Sequence, residues 1–382
     1  MHICLNMTGG TQWMGGVIYI QNLVHAINSF ASNREKCIKL SLAVSSSQKE
    51  LVDSVSKWVD HVYEKESIYI KICKNLPQYS SITEKLLNPY EIDFFYPTIA
   101  NPRASFKWGA WIPDFQAYYL PEFFSLNEIE NCKRCHKKIA KNAPILILSS
   151  KAAEEDFKRF YPASKARTRV LQFATTVPVE WFEPNPLEIQ KKYNLPNRFF
   201  LVSNQFWKHK DHGIILDALY LLKQQGKDFT VACTGNTQDA RNPEYFSKLV
   251  QKVERLDLKE QFRILGLIPR LDQIQLMRQC LAVIQPSRFE GWSTVVEDAK
   301  ALGKSLLLTK LSVHVEQAPP DSYFFELSSY TQLAELMLKA DANLEAGFNP
   351  EREAIAREKS AQRVQAFGEE FINIAHEAIY GS

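Results

Sequence analysis

Short apolar runs alternate along the chain with longer stretches in which apolar residues return every three or four positions. The runs at 3–7, 39–44, 93–96, 107–112 and 145–149 read as strands in the first half. Between them, 17–30 and 126–140 carry the spacing of amphipathic helices. The second half repeats the scheme, with strands expected at 199–203, 230–234, 262–265, 281–285 and 305–308 and helices at 214–225 and 245–255. Strands that alternate with helices imply parallel sheets covered on both faces. Pro178, Pro184, Pro186 and Pro196 crowd one stretch, which marks 176–197 as a linker. The expectation is an α/β chain of two doubly wound, Rossmann-like domains facing across a cleft, at 1–175 and 198–355. Residues 351–380 read as one or two long amphipathic helices. Ligands of such sheets bind outside the carboxyl ends of the strands.

The length agrees: 382 residues exceed one ordinary core and suit two domains of roughly 170–190 residues. Hydrophobic residues make up 45% and charged ones 23%, the balance of a globular chain. A net charge of +3 is too small to make nucleic acid the main ligand. No apolar run approaches the roughly 18 residues of a membrane span. The start, Met1-His2-Ile3-Cys4, has no feature of a signal peptide, and the seven cysteines are scattered and odd in number. A cytoplasmic protein is therefore expected, with peripheral membrane association left open. Cys132-Lys133-Arg134-Cys135-His136 fits a haem-attachment pattern. It falls inside a helical pattern and no export signal accompanies it, so neither haem nor metal is expected there.

The chemistry concentrates in 285–303. An apolar strand ends at Gln285, a loop follows with Glu290, Gly291 and Trp292, and a helix starts near Ser293 and Thr294 and ends at Gly303. The free amides of a helix start bind anions. A carboxylate beside them suits a sugar diphosphate, with the amides on phosphate and Glu290 on sugar hydroxyls. Thr294 to Glu297 also reads as a capping box, with Glu297 folded back on the cap amide or solvated.

This segment is similar to the acidic signature of glycosyltransferase family 4, the group 1 glycosyltransferases of GT-B fold. Glu290, Gly291, Trp292, Ala299, Ala301 and Gly303 match in register, and the second acidic position falls on Asp298 rather than Glu. The resemblance implies a retaining, metal-independent transfer of a hexosyl group from a nucleotide-diphosphate sugar to a glycan or lipid-linked acceptor, with no cofactor. It makes 1–175 the acceptor side and 198–355 the donor side, and turns helices at 356–382 back toward the first domain. Glu290 would contact the donor sugar and Asp298 the ribose. Lys210 matches the family's phosphate-gripping lysine, while Gln205 stands where relatives carry arginine, so that Lys208 would compensate. Gly266 matches a loop that meets the base, and Gly15 and Gly16 a glycine pair near donor phosphates or acceptor. Asp114 keeps the acid of a His-Asp pair whose histidine is replaced by Pro113. His314 and Glu316 fall on a loop that approaches the donor. A nucleotide-sugar epimerase of the same fold and a non-catalytic subunit of a glycan assembly complex are the alternatives.

Overall fold

The computed structural model describes residues 1–10, 13–32, 38–64, 91–100 and 106–381. It divides into two compact units. The first comprises Met1–Phe115, Glu130–Thr176 and Ala361–Ser382, the second Gln116–Ile129 and Val177–Ser360.

Among the described residues, unit 1 holds seven strands: β1 (His2–Asn6), β2 (Lys39–Val44), β3 (His61–Glu64), β4 (Phe94–Tyr96), β5 (Lys107–Ile112), β6 (Ile145–Leu148) and β7 (Arg167–Val170). They order as β3-β2-β1-β4-β5-β6-β7, every pair parallel. The central strands are buried, as parallel strands covered on both faces are. The edges are not: β3 is mostly exposed, and β7 puts Arg167 and Arg169 onto Glu377 at 2.9 and 2.7 Å. Polar edges of this kind discourage further strand pairing.

The C-terminal helix is a single element, Pro350–Tyr380. Its residues from Ala361 group with unit 1. There Gly368 lies against the helix Met14–Ser32, where an added Cβ would stand 2.1 Å from the carbonyl oxygen of Ala26. Two backbones approach this closely only when one lacks a side chain. Gly368→Ala is expected to destabilise the protein by roughly 1–3 kcal/mol through overpacking. A urea midpoint equal to the parent's would show that the crossing relaxes.

Unit 2 holds β8 (Phe200–Ser203), β9 (Val231–Thr234), β10 (Phe262–Gly266), β11 (Val283–Gln285), β12 (Leu306–Thr309) and β13 (Tyr323–Phe325). Their order is β10-β9-β8-β11-β12-β13, again all parallel. From β8 the chain winds first one way, then returns to continue from β11 the other way. The two strands that flank this reversal are neighbours, and the rule for open α/β sheets puts the ligand at their carboxyl ends.

Two parts of the chain differ from the sequence reading. Residues 116–129 group with unit 2 although they lie within the first half. Phe123 sits under two cations of unit 2, Lys208 Nζ at 4.9 Å and the Arg288 guanidinium at 5.2 Å. Phe124 lies under Arg241, which also pairs with Glu128 at 3.1 Å. The proline-rich stretch 176–197 is likewise more than a connector. It forms the turn Val179–Phe182 and the helix Pro186–Lys192, and buries Trp181 and Leu195 in the core of unit 2.

Candidate active site

Two loops leave the strands at the reversal in unit 2. The loop after β8 runs through a short 3-10 turn, Lys208–Lys210, and ends at Asp211 in a left-handed conformation with φ 49°. The loop after β11 runs from Pro286 to Ser293. Asn204 and Gln285, at the strand ends, fasten them: Asn204 Nδ2 donates to Gln285 Oε1 at 2.6 Å. Gln285 then donates from Nε2 to Glu290 Oε1 at 2.8 Å and to Ser293 Oγ at 3.1 Å. A fully buried amide has to find partners, and these partners fix the loop.

Lys210 Nζ meets Glu290 Oε1 at 2.6 Å, with both side chains mostly out of water. Burial alone would raise the Glu290 carboxyl. The Lys210 charge, the His314 ring and hydrogen bonds from Lys210 and Ser287 outweigh it and hold the pKa at about 2. Glu290 is thus a carboxylate at every physiological pH. His314 donates from Nδ1 to the carbonyl of Thr309 at 2.7 Å. Burial pushes its imidazolium down, and the opposing pull of Glu290 does not overcome it. The ring is neutral, and Nε2 is a buried acceptor with no hydrogen-bond partner among the described residues.

The helix Thr294–Ala301 starts on Ser293, whose side chain accepts from the amide of Val296. Gln317 clasps the same residue from both sides, accepting from Ser293 N at 3.0 Å and donating to Ser293 O at 2.8 Å. The cap is therefore Ser293, not Thr294. Glu297 neither folds back on a cap nor meets solvent. It is buried and takes hydrogen bonds from Lys300 at 2.9 Å and Gln317 at 3.0 Å.

The structure brings Lys210, Glu290, Gly291, Trp292, Ser293, Thr294 and His314 to the carboxyl side of β8, β11 and β12. Trp292 is half-buried beneath Lys300, whose Nζ is 5.9 Å from the ring. Glu316 is half-buried on the short helix Ser312–Gln317. Gly266 ends β10 with φ +68° and accepts from the amide of Gly235 at 2.9 Å. Two residues are engaged differently from the sequence reading. Lys208 is exposed and lies over Phe123, while Gln205 accepts from the amide of Asn236 at 2.8 Å. Asp298 is buried and ion-paired with Arg270 at 2.7 Å.

Gly15, Gly16 and Asp114 belong to unit 1. Gly15 and Gly16 make room for an indole, since a Cβ on Gly16 would stand 2.9 Å from the Trp13 ring and 3.0 Å from Thr8 O. Trp13 stacks on Trp111, which stacks on Tyr19. Packing thus gives these glycines one reason to be glycine. Asp114 is half-buried just past β5. His136 of the haem-like pattern is buried against Phe115 on the helix Leu126–Asn142, at 5.1 Å between rings. Among the described residues no group of three or more His, Cys, Asp or Glu side chains is placed to hold a metal. No helix of the described residues is long and apolar enough to cross a membrane.

Residues 186–356 match the family model for glycosyl transferases, group 1. The match spans most of unit 2 and contains Lys210, Glu290 and His314. No curated protein sequence matches the chain. Among solved structures, HepE from Anabaena in complex with UDP and glucose is 18% identical, with 98% of this chain and 99% of that chain covered and a TM-score of 0.69. Sucrose-phosphate synthase from Thermosynechococcus elongatus is 15% identical over the whole of both chains, with a TM-score of 0.71. A glycosyltransferase from Rickettsia africae is 13% identical over 100% of this chain and 99% of that one, with a TM-score of 0.66. At these identities the likeness establishes the fold, and the GT-B type expected from the sequence is the one found.

Proposed function

We propose that the chain is a retaining glycosyltransferase that takes a hexosyl group from a nucleotide-diphosphate sugar. The observation that carries this is the Lys210–Glu290 pair on the two loops at the strand reversal of unit 2. A cation mostly out of water beside a helix start is suited to a diphosphate, and a carboxylate held ionised next to it is suited to sugar hydroxyls. The match of 186–356 to the group 1 family supports the same reading, as do the UDP and glucose named for HepE.

In the transfer, the bond from the anomeric carbon to the leaving phosphate oxygen breaks and a bond to the acceptor hydroxyl oxygen forms on the same face. The acceptor proton passes to the departing diphosphate. Lys210 turns from Glu290 to the phosphates, and the amides at Ser293 and Thr294 stabilise the charge that develops there. We take these groups to suffice without a metal or other cofactor. The acceptor is a glycan or lipid-linked saccharide and the setting cytoplasmic, where a lipid-linked acceptor would bring the protein to a membrane surface.

The engagement of Gln205 with Asn236, where relatives carry arginine, and Pro113 in place of their histidine favour a non-catalytic role. A melting screen against UDP, GDP, ADP and dTDP tests the donor site. The preferred nucleotide at a hundred times its Kd stabilises by roughly 2.7 kcal/mol. No shift with any of the four defeats the proposal. A shift without sugar release from the matching nucleotide sugars selects the non-catalytic reading.

A further inference from the structure

The second acidic position of the signature segment, Asp298, is not open to a ligand. Its side chain is 3% exposed, and Oδ2 receives Arg270 Nη2 at 2.7 Å, whereas Arg270 itself is 43% exposed. Arg270 is held at two further points. Its guanidinium lies 5.2 Å from the Trp181 ring, and Nη1 donates to Gln273 Oε1 at 2.8 Å. Gln273 donates in turn to Ser203 Oγ and, at 3.4 Å, to Thr234 Oγ1. Ser203 and Thr234 are the last residues of β8 and β9. The cluster therefore stands on the carboxyl edge of the sheet, beside the strand reversal.

We propose that Arg270, anchored by Asp298, is the group that contacts the ribose oxygens of the donor nucleotide. The inference rests on the nucleotide-sugar reading above and changes which side chain meets the nucleoside. Four physical points support it. A carboxylate this buried would lose more by giving up its cation than neutral hydroxyls return, so the pair survives ligand binding. The aspartate is one methylene shorter than glutamate, while the arginine is long and reaches solvent. A guanidinium has five N–H donors in a fixed fork. Asp298 and Gln273 engage two of them, which leaves donors for hydroxyl oxygens. Trp181 and Gln273 keep the fork in place, so little side-chain freedom is lost on binding.

The test is calorimetric titration with UDP, 2′-deoxy-UDP and 3′-deoxy-UDP, or the same set on the base that the melting screen ranks first. Four proteins are compared: the parent, Arg270→Ala, Asp298→Asn and the double variant. The parent should prefer the intact ribose by about tenfold or more over at least one deoxy form. Arg270→Ala should abolish that preference, and Asp298→Asn should shrink it by loosening the arginine. The double variant should match Arg270→Ala. It carries no lone buried carboxylate, so it gives the reading even if Arg270→Ala folds poorly. Undiminished ribose preference in Arg270→Ala or in the double variant overturns the inference, as does tighter UDP binding once the carboxylate is freed. A parent that binds the diphosphate but ignores both hydroxyls overturns it alone, leaving the donor reading intact. A parent that binds no nucleoside diphosphate removes the donor reading first and this inference with it.

Discussion

Glu290→Gln should lower the rate of sugar transfer by ~10²-fold or more while leaving affinity for the bare nucleotide diphosphate near the parent's. The loss is the scale of one strong transition-state contact. Glutamine keeps the shape and can still meet Gln285 and Lys210, so the loop fastened by Asn204 and Gln285 should hold its course. What disappears is a full negative charge that the protein maintains against burial. Keeping a carboxylate ionised in a site this dry has a cost that packing alone gives no reason to bear. Steady-state transfer with the preferred nucleotide sugar, beside calorimetry with the nucleotide diphosphate, separates the two effects. Transfer at the parental rate would remove Glu290 from the chemistry. An equal loss of nucleotide affinity would mean that the carboxylate serves the loop and not the sugar.

Much of this site was legible because its parts are local. Glu290, Gly291 and Ser293 lie within one strand-loop-helix segment, and the apolar run before Gln285 marks where that segment leaves the sheet. The partners that set the geometry come from far along the chain. Gln317 reaches Ser293 across 24 residues and Asn204 reaches Gln285 across 81. Neither belongs to a motif. The available signal was a polar residue closing a buried strand, which must hydrogen-bond to something. Arg270 was missed for a related reason. A lone arginine after Pro269 reads as a solvated helix start, and only the fold brings Asp298 to it. The capping reading of Thr294 and Glu297 failed by one residue. Ser293 could cap equally well, and Gln317, which decides between them, is distant in sequence.

The strands divide in the same way. Those in the middle of each sheet are continuous apolar runs, since helices cover both faces, and they were found. The missed strands β3, β7 and β13 are all at sheet edges. His61–Glu64 and Arg167–Val170 carry charged or polar residues that defeat an apolar count. Residues 116–129 were assigned by chain order to the first domain. Within unit 2 they make aromatic and ionic contacts through Phe123, Phe124 and Glu128 that no periodicity reports.

Lys210→Met should be the most damaging single change at the site, because it acts on both halves of the donor. The ammonium meets Glu290 at 2.6 Å, and on the proposed reading its loss removes a charge-assisted phosphate contact of about 1.5–3 kcal/mol. Nucleotide affinity should fall roughly tenfold to a hundredfold. The carboxylate then loses the strongest influence that opposes burial. With Lys210 in place, a carboxyl that would titrate near 4.5 is held at about 2. The folded-state pKa is depressed, so the pair's contribution to stability is fully present above about pH 4.5. It is lost as the pH falls toward 2. Without Lys210, only the His314 ring and the Ser287 hydroxyl still oppose burial, so the Glu290 pKa rises from its depressed value. The acid limb of kcat/KM in the variant should therefore move toward neutral pH, where the parent is flat. Raising the pH should restore part of the variant's rate but none of its nucleotide affinity, because a deprotonated Glu290 cannot replace the missing cation. A Lys210→Met profile that is flat through the same range would mean that Glu290 stays ionised by other means. The electrostatic pairing of these two residues would then be structural and not part of the transfer.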